Sequence, residues 1–235
     1  MSRLGPEYAI PAACRGSAHP AWLRWIADRL RLSPIDRFLD AGAGLGGPSA
    51  WLSRTYLPGL VPVLAEPMIG ACQAARTMFS LETVSAWSQS LPFPDGTFDA
   101  AWCLGVLCTT AEKSGLLNEL RRVLTRQGRL GLLVLVQAAA ELTDAPEGND
   151  FPTDASLLTG LAAAGFTVSD RIEAGKIDTA DDQWQRKVSR IDEVLAERYG
   201  DRPDWRLAQE QERRIARLLE RGDLQTWLIT ARVST

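Results

Sequence analysis

The stretch Arg37-Phe38-Leu39-Asp40-Ala41-Gly42-Ala43-Gly44-Leu45-Gly46-Gly47-Pro48 constrains this chain more than any other. An apolar strand pattern runs into a glycine cluster, then into a helical pattern whose first turn tolerates Pro48. Backbone there can approach a ligand without obstruction from Cβ atoms, so the segment reads as a loop at a strand's carboxyl end that holds a cofactor. From Asp36 to about Phe166, short apolar runs alternate with helical patterns, as in a parallel sheet covered on both faces. Strands are expected near 36–41, 60–65, 83–87, 98–104, 129–136, 166–172 and 224–233. Helices are expected near 47–56, 68–79, 112–125 and 154–164, bounded by breakers such as Pro58-Gly59, Asp95-Gly96 and Gly128. The expected fold class is doubly wound α/β.

Gly42, Gly44 and Gly47 also satisfy the dinucleotide pattern G-x-G-x-x-G, which keeps a nicotinamide-dependent oxidoreductase open. Asp40 discriminates between ligands. Two residues before the first glycine, it puts negative charge where a pyrophosphate would sit, and it favours a ligand with a cationic amino group. S-adenosylmethionine is such a ligand. Glu66 follows Val63-Leu64-Ala65 at the end of the next strand, 24 residues beyond Gly42, where a carboxylate can accept from both ribose hydroxyls of any adenosine cofactor. Taken singly, Asp40 also reads as a cap and Glu66 as an exposed acid before Pro67.

On these residues the chain resembles the class I S-adenosylmethionine-dependent methyltransferases, in their small-molecule, UbiE-like branch (methyltransferase type 11). The matching segments are Phe38 to Gly47, Val63-Leu64-Ala65-Glu66-Pro67-Met68, Leu91-Pro92-Phe93-Pro94-Asp95-Gly96-Thr97-Phe98-Asp99 and Glu119-Leu120-Arg121-Arg122-Val123-Leu124, within roughly 36–172. The resemblance implies a Rossmann-like seven-stranded sheet of order 3-2-1-4-5-7-6 with the last strand antiparallel. It also implies that Asp40, Gly42, Gly44 and Gly46 face the methionyl part, Glu66 the ribose and Met68 the adenine. Where the family commonly has Asp before a small residue, this chain has Trp87-Ser88, so Ser88, Gln89 or a backbone carbonyl is left to receive the adenine amino group. Trp87 is read as core filling in preference to stacking. Where the family often has a histidine pair after the fourth strand, this chain reads Val106-Leu107-Cys108-Thr109-Thr110.

Two stretches lie outside the alternation, dividing a single domain into an N-terminal helical segment (1–32), a cofactor-binding core (36–172), a helical insertion (181–222) and a final strand (223–235). Before the first strand, Trp22, Trp25, Ile26 and Leu30 recur at helical spacing after Pro20. The insertion carries two helical patterns separated by Gly200-Asp201-Arg202-Pro203, and its charges balance, as on a solvated face. It is expected to cover the pocket of a small acceptor, with Trp184 and Trp205 as the substrate-binding residues, although such stripes are more often plain packing.

Methyl transfer from a sulfonium needs alignment and exclusion of water, and no nucleophilic side chain. No residue is assigned a catalytic role outright. The candidates are His19, the one histidine of the chain, which also reads as a helix-start residue before Pro20, and Tyr8, which could close over the cofactor or pack on the surface. Cys103 is expected to line the cofactor pocket; Cys108 reads equally as a small buried residue.

Composition narrows the partners. A formal charge of −3 offers no global field for nucleic acid, and the longest strongly apolar run, Leu130 to Val136, is too short to span a membrane. Met1 to Ile10 lacks a basic-then-apolar signal pattern, and the four cysteines form no Cys-x-x-Cys pair, so a reduced, cytoplasmic setting without a metal site is expected. The reading is a methyltransferase acting on a small molecule. The alternatives are the nicotinamide-dependent oxidoreductase and a noncatalytic cofactor-binding assembly protein.

Overall fold

In the computed structural model, residues 4–15 and 18–234 are described. The strands are β1 (Phe38–Ala41), β2 (Pro62–Ala65), β3 (Glu82–Val84), β4 (Phe98–Leu104), β5 (Leu124–Gln137), β6 (Phe166–Glu173) and β7 (Leu224–Val233). They form a seven-stranded sheet of order β3-β2-β1-β4-β5-β7-β6. β3, β2, β1, β4 and β5 run parallel, and β7 runs antiparallel to both β5 and β6. The order reverses between β1 and β4, and at such a switch point the carboxyl ends of the strands leave a crevice.

The central strands are covered on both faces, which is why their sequences are nearly continuous apolar runs. On one face Leu39, Ala101, Cys103 and Leu132 pack with α5 (Lys113–Val123) and α6 (Asp154–Ala163). On the other, Phe38, Trp102 and Leu133 pack with α2 (Pro20–Leu30). A Cβ at Gly131 would lie 2.4 Å from Ile26 Cγ2, so this glycine lets α2 lie directly on β5. His19 caps α2: its Nδ1 accepts the Ala21 N–H at 3.2 Å, and Pro20 occupies the first turn.

Two of the sequence motifs hold each other. Arg122 on α5 donates to the carbonyls of Leu91 and Phe93 and to the carboxylates of Asp95 and Glu119, while Glu119 accepts the Leu91 N–H at 2.6 Å. The Leu-Pro-Phe segment is thus fastened to the helix that packs against β4 and β5, and one residue type, a forked guanidinium, reaches all four acceptors.

The expected elements are present, with local differences. The helix expected at 47–56 is α3 (Gly47–Trp51) continued by a π-helical turn over 52–56, and β3 ends at Val84 instead of reaching 87. β5 starts at Leu124, but its pairing with β4 jumps from Phe98↔Leu124 to Ala100↔Arg129, so 125–128 bulges out where Gly128 had suggested a break. The insertion forms α7 (Asp182–Tyr199) and α8 (Pro203–Glu220), and α4 (Ile69–Phe79) links β2 to β3. Among the described residues no helix is long and apolar enough to cross a membrane.

Candidate functional site

Asp40, next to last in β1, is a charge inside a buried strand, with 1% exposure. Its Oδ2 accepts from Ser49 Oγ at 2.7 Å, a hydroxyl placed by the first turns of α3. Burial pushes its carboxyl up to about 6 against the pull of the Ser49 hydrogen bond and of Trp102, and nearby Glu66 raises it further. No cation is among the groups acting on it. The Trp102 indole N–H completes no hydrogen bond among the described residues.

The loop that follows is bent by Gly42, Gly44 and Gly46, at φ of 78°, 54° and 77°, where a side chain would be strained. A Cβ on Gly42 would also strike Val106, and one on Gly47 would meet the Ala13 backbone at 2.3 Å. The glycines therefore admit both the segment after β4 and the short helix α1 (Ala9–Ala13) to close range. Glu66 connects two loops: Oε2 accepts the Gly44 N–H at 2.9 Å and Oε1 accepts the Met68 N–H at 3.0 Å. Each carboxylate oxygen retains a further lone pair.

The remaining residues expected at the cofactor differ in exposure. Ser88 is buried, Gln89 donates to Thr110 Oγ1 at 3.0 Å, and the Pro67 carbonyl accepts from Ser85. Met68 and its neighbour Ile69 are exposed, as is Trp87, at 68%. Trp87 therefore does not fill the core: it follows the end of β3, where the chain turns outward into the 88–90 turn. Cys103 is fully buried in the sheet, and burial beside Asp40 raises its thiol strongly. The same holds for Cys14, so neither is an activated nucleophile.

Beside this site lies a cavity of about 520 Å³, within the range of small-molecule pockets. Its walls come from the N-terminal segment (Cys14, His19, Trp22), the end of β4 (Gly105), β5 (Leu133, Leu135) and the insertion (Trp184, Ile215, Leu219). Cys14 belongs to this wall and also lies near enough to Asp40 for that charge to raise its thiol, while no residue of the glycine loop is among the cavity's described lining. His19 packs against Trp184, ring centroids 6.1 Å apart.

Trp205 lies elsewhere. It sits under the Arg15 guanidinium, 5.2 Å from its ring, and is absent from the cavity wall. Tyr8 borders a separate shallow pocket against α7. Sequence reasoning missed Ser49, which holds Asp40, and Arg15, which donates to Asp192 on α7 at 2.6 Å and Glu212 on α8 at 3.1 Å. Ser49 carried a signal, as a hydroxyl in the helix turn after the glycine loop. Arg15 carried none. Among the described residues no group of three or more His, Cys, Asp or Glu side chains could hold a metal ion.

Residues 39–132 match the family model described as a methyltransferase domain. The chain is 27% identical over 126 residues to the glycine/sarcosine/dimethylglycine N-methyltransferase of Actinopolyspora halophila, covering 52% of this chain and 22% of that protein. It is 30% identical over 122 residues to the ubiquinone/menaquinone biosynthesis C-methyltransferase UbiE of Hahella chejuensis, 49% of each. The chain thus spans half or less of the length of these curated relatives. Among solved structures, the [4+2]-cyclase SpnF shares the fold with a TM-score of 0.71 at 24% identity, covering 91% of this chain and 80% of that one. The matches cover the core at 39–132 and make it similar to methyltransferase domains, that of UbiE among them, while with SpnF the chain shares the fold.

Proposed function

We propose that this chain is an enzyme that transfers the methyl group of S-adenosylmethionine to a small molecule held in the 520 Å³ cavity. The observation that carries the reading is Asp40: a buried carboxyl near the carboxyl end of β1 with no cation beside it, followed by the glycine loop and with Glu66 bonded to that loop. The residues present fit the cofactor. Asp40 offers a negative charge to a cationic amino group, the glycine loop offers open backbone, and Glu66 offers its free lone pairs to ribose hydroxyls. Gly42, Gly44 and Gly46 would line the methionyl part, Pro67, Met68, Ser88 and Gln89 the adenine end, and Cys103 the strand floor beneath. A pyrophosphate beside Asp40 would meet an unneutralised acid, which disfavours the nicotinamide alternative.

When bound, S-adenosylmethionine supplies a methyl group on a positively charged sulfur. This chain's residues supply position and dryness: α2, α7 and α8 wall the acceptor from water, and Trp184 fixes one side of it. His19 is not arranged as a base. Its Nδ1 is used in capping α2, so the neutral ring carries its proton on Nε2 and offers a donor there. Burial also lowers its affinity for a second proton, against the opposing pull of Asp181. Helices α7 and α8 act as the cover of the cavity, with Trp205 contributing through Arg15. Tyr8 stays a candidate for closing the N-terminal segment on α7. The four buried, unpaired thiols suit a reducing, cytoplasmic setting.

The cyclase neighbour favours a second reading, in which the chain binds the cofactor while the cavity serves another reaction. Calorimetric titration with S-adenosylhomocysteine and with NAD decides the cofactor. Binding of S-adenosylhomocysteine but not NAD, weakened by about 2–4 kcal/mol in Glu66→Ala, is the expected result. Tighter binding of NAD, or an unchanged Glu66→Ala variant, would overturn it. Formation of S-adenosylhomocysteine only when an acceptor is added separates methyl transfer from the second reading.

A further inference from the structure

At the edge of the sheet opposite the glycine loop, where β5 begins and β7 ends, a second, open cavity of about 550 Å³ is lined by five arginines and two aspartates. The chain as a whole carries a formal charge of −3, so this positive wall is a local arrangement and not a consequence of basic composition. Both acids are already paired, Asp36 with Arg129 and Asp99 with Arg37, each at 2.9 Å. Arg129 is fully engaged as well, since it also donates to the carbonyls of Leu30, Arg31 and Asp99. Four guanidiniums of the wall are left without a carboxylate. Arg31, Arg126 and Arg232 have exposed side chains that make no hydrogen bond or ion pair among the described residues, and Arg29 has only the ring of Trp25, 4.0 Å away, and its carbonyl at 3.4 Å.

Arg129 is the hub that gathers them. It stands directly opposite Arg232 in the antiparallel β5–β7 pair, so the two side chains leave the same face of the sheet. Like charges in opposed positions cost stability unless a counter-charge serves them, and Asp36 serves only Arg129. Its bonds to the carbonyls of Leu30 and Arg31 hold the end of α2, and with it Arg29 and Arg31, on the same rim. The bulge at 125–128 adds Arg126. Guanidiniums scattered over a surface are simply solvated, but here they share one concavity, where each raises the potential at the others.

We propose that this cavity binds a small polyanion with a di- or triphosphate group, free or carried by a nucleotide, and that Arg31, Arg126 and Arg232 are its main contacts. Each tetrahedral phosphate presents oxygens in several directions and can meet more than one guanidinium fork, whereas a planar carboxylate meets one fork at a time. The site stands apart from the methyl-transfer reading, so failure of either leaves the other untouched.

Calorimetric titration of the whole chain at about 0.1 M salt, where long-range attraction is screened, compares inorganic phosphate, tripolyphosphate and uridine triphosphate, a nucleotide without adenosine. Tripolyphosphate is expected to bind one to one and at least about tenfold tighter than phosphate. Uridine triphosphate equal to tripolyphosphate identifies the phosphate chain alone as the ligand; a tighter nucleotide identifies the nucleotide. Arg126→Gln and Arg232→Gln should each weaken tripolyphosphate at least about fivefold, and the double variant should reduce it to the level of phosphate. Arg186→Gln, an exposed arginine on α7 outside this wall, should stay within about twofold. Tripolyphosphate should also raise the melting temperature of the wild type and not of the double variant, while the unliganded proteins melt alike, which separates lost binding from lost folding. Tripolyphosphate no tighter than phosphate, binding that survives the double variant, or an equal loss in Arg186→Gln would overturn the proposal. Tighter binding of a short oligothymidylate through the same arginines would overturn it too, by assigning the face to nucleic acid.

Discussion

In α5, Leu116, Leu117, Leu120 and Val123 are all buried against the sheet, whereas α7 and α8, each 18 residues long, bury one residue apiece, Ile191 and Leu218. The core is held by apolar area; the helical pair adds a set of ion pairs to a narrower apolar face. Arg15 joins it to the N-terminal segment, and Arg214 and Arg217 reach Asp144 in the loop after β5. Exposed pairs of this kind contribute about 0–1 kcal/mol each, against about 2–5 kcal/mol for a buried leucine. The two regions also differ in charge: a buried carboxyl, Asp40, lies near the carboxyl end of β1, and the described lining of the cavity beside α7 and α8 holds a single charged side chain, Arg15.

The comparison breaks first in the core. Leu120→Ala should lower global unfolding stability by about 2–5 kcal/mol, while Leu207→Ala, at a residue 62% exposed on α8, should change it by less than about 0.5 kcal/mol; denaturant titration of both variants measures this. A larger loss from Leu207 would mean that the helical pair belongs to the core.

Asp40 sharpens the contrast from the other side, because it costs stability for the sake of the site. Its folded carboxyl titrates near 6, above the usual 3.8, so the native chain holds the proton more tightly than the unfolded chain. Stability is therefore lost as pH rises from about 3.8 to about 6, and the cost persists above that. Asp40→Asn should stabilise the chain by on the order of 2–3 kcal/mol at pH 7, with the gain vanishing toward pH 3, as followed by denaturant midpoints across pH. The same variant should bind S-adenosylhomocysteine more weakly. A variant of unchanged stability at pH 7 would contradict the buried-charge account.

The smallest effect belongs to the cover. Arg15→Gln should cost about 1 kcal/mol locally, about a fivefold faster amide exchange in 182–220, with the global unfolding midpoint little changed. High salt should narrow the difference between variant and wild type, since exposed pairs are screened. Equal exchange at low salt would show that apolar contact alone holds the pair.

The strands were legible because their period and their breakers are local; β4 and β7 span 98–104 and 224–233, as the apolar runs suggested. Asp40, the glycines and Glu66 were legible because each sits at a strand end, where sequence order fixes position. Arg15 was not, since its partners lie 177 and 197 residues away and no local pattern links them. Trp184 and Trp205 looked alike at helical spacing, yet α7 and α8 cross the cavity differently, and only Trp184 reaches its wall. Trp87 misled because tryptophan at a strand end usually packs, and here the strand stops three residues short of it.

The division of labour between sheet edge and helical cover is tested most directly by hydrogen exchange with and without S-adenosylhomocysteine. The account predicts slower exchange at Gly42 to Gly47 and at Glu66 to Ile69, with 182–220 unchanged within about twofold. Protection of 182–220 with no change at Gly42 to Gly47 would contradict it.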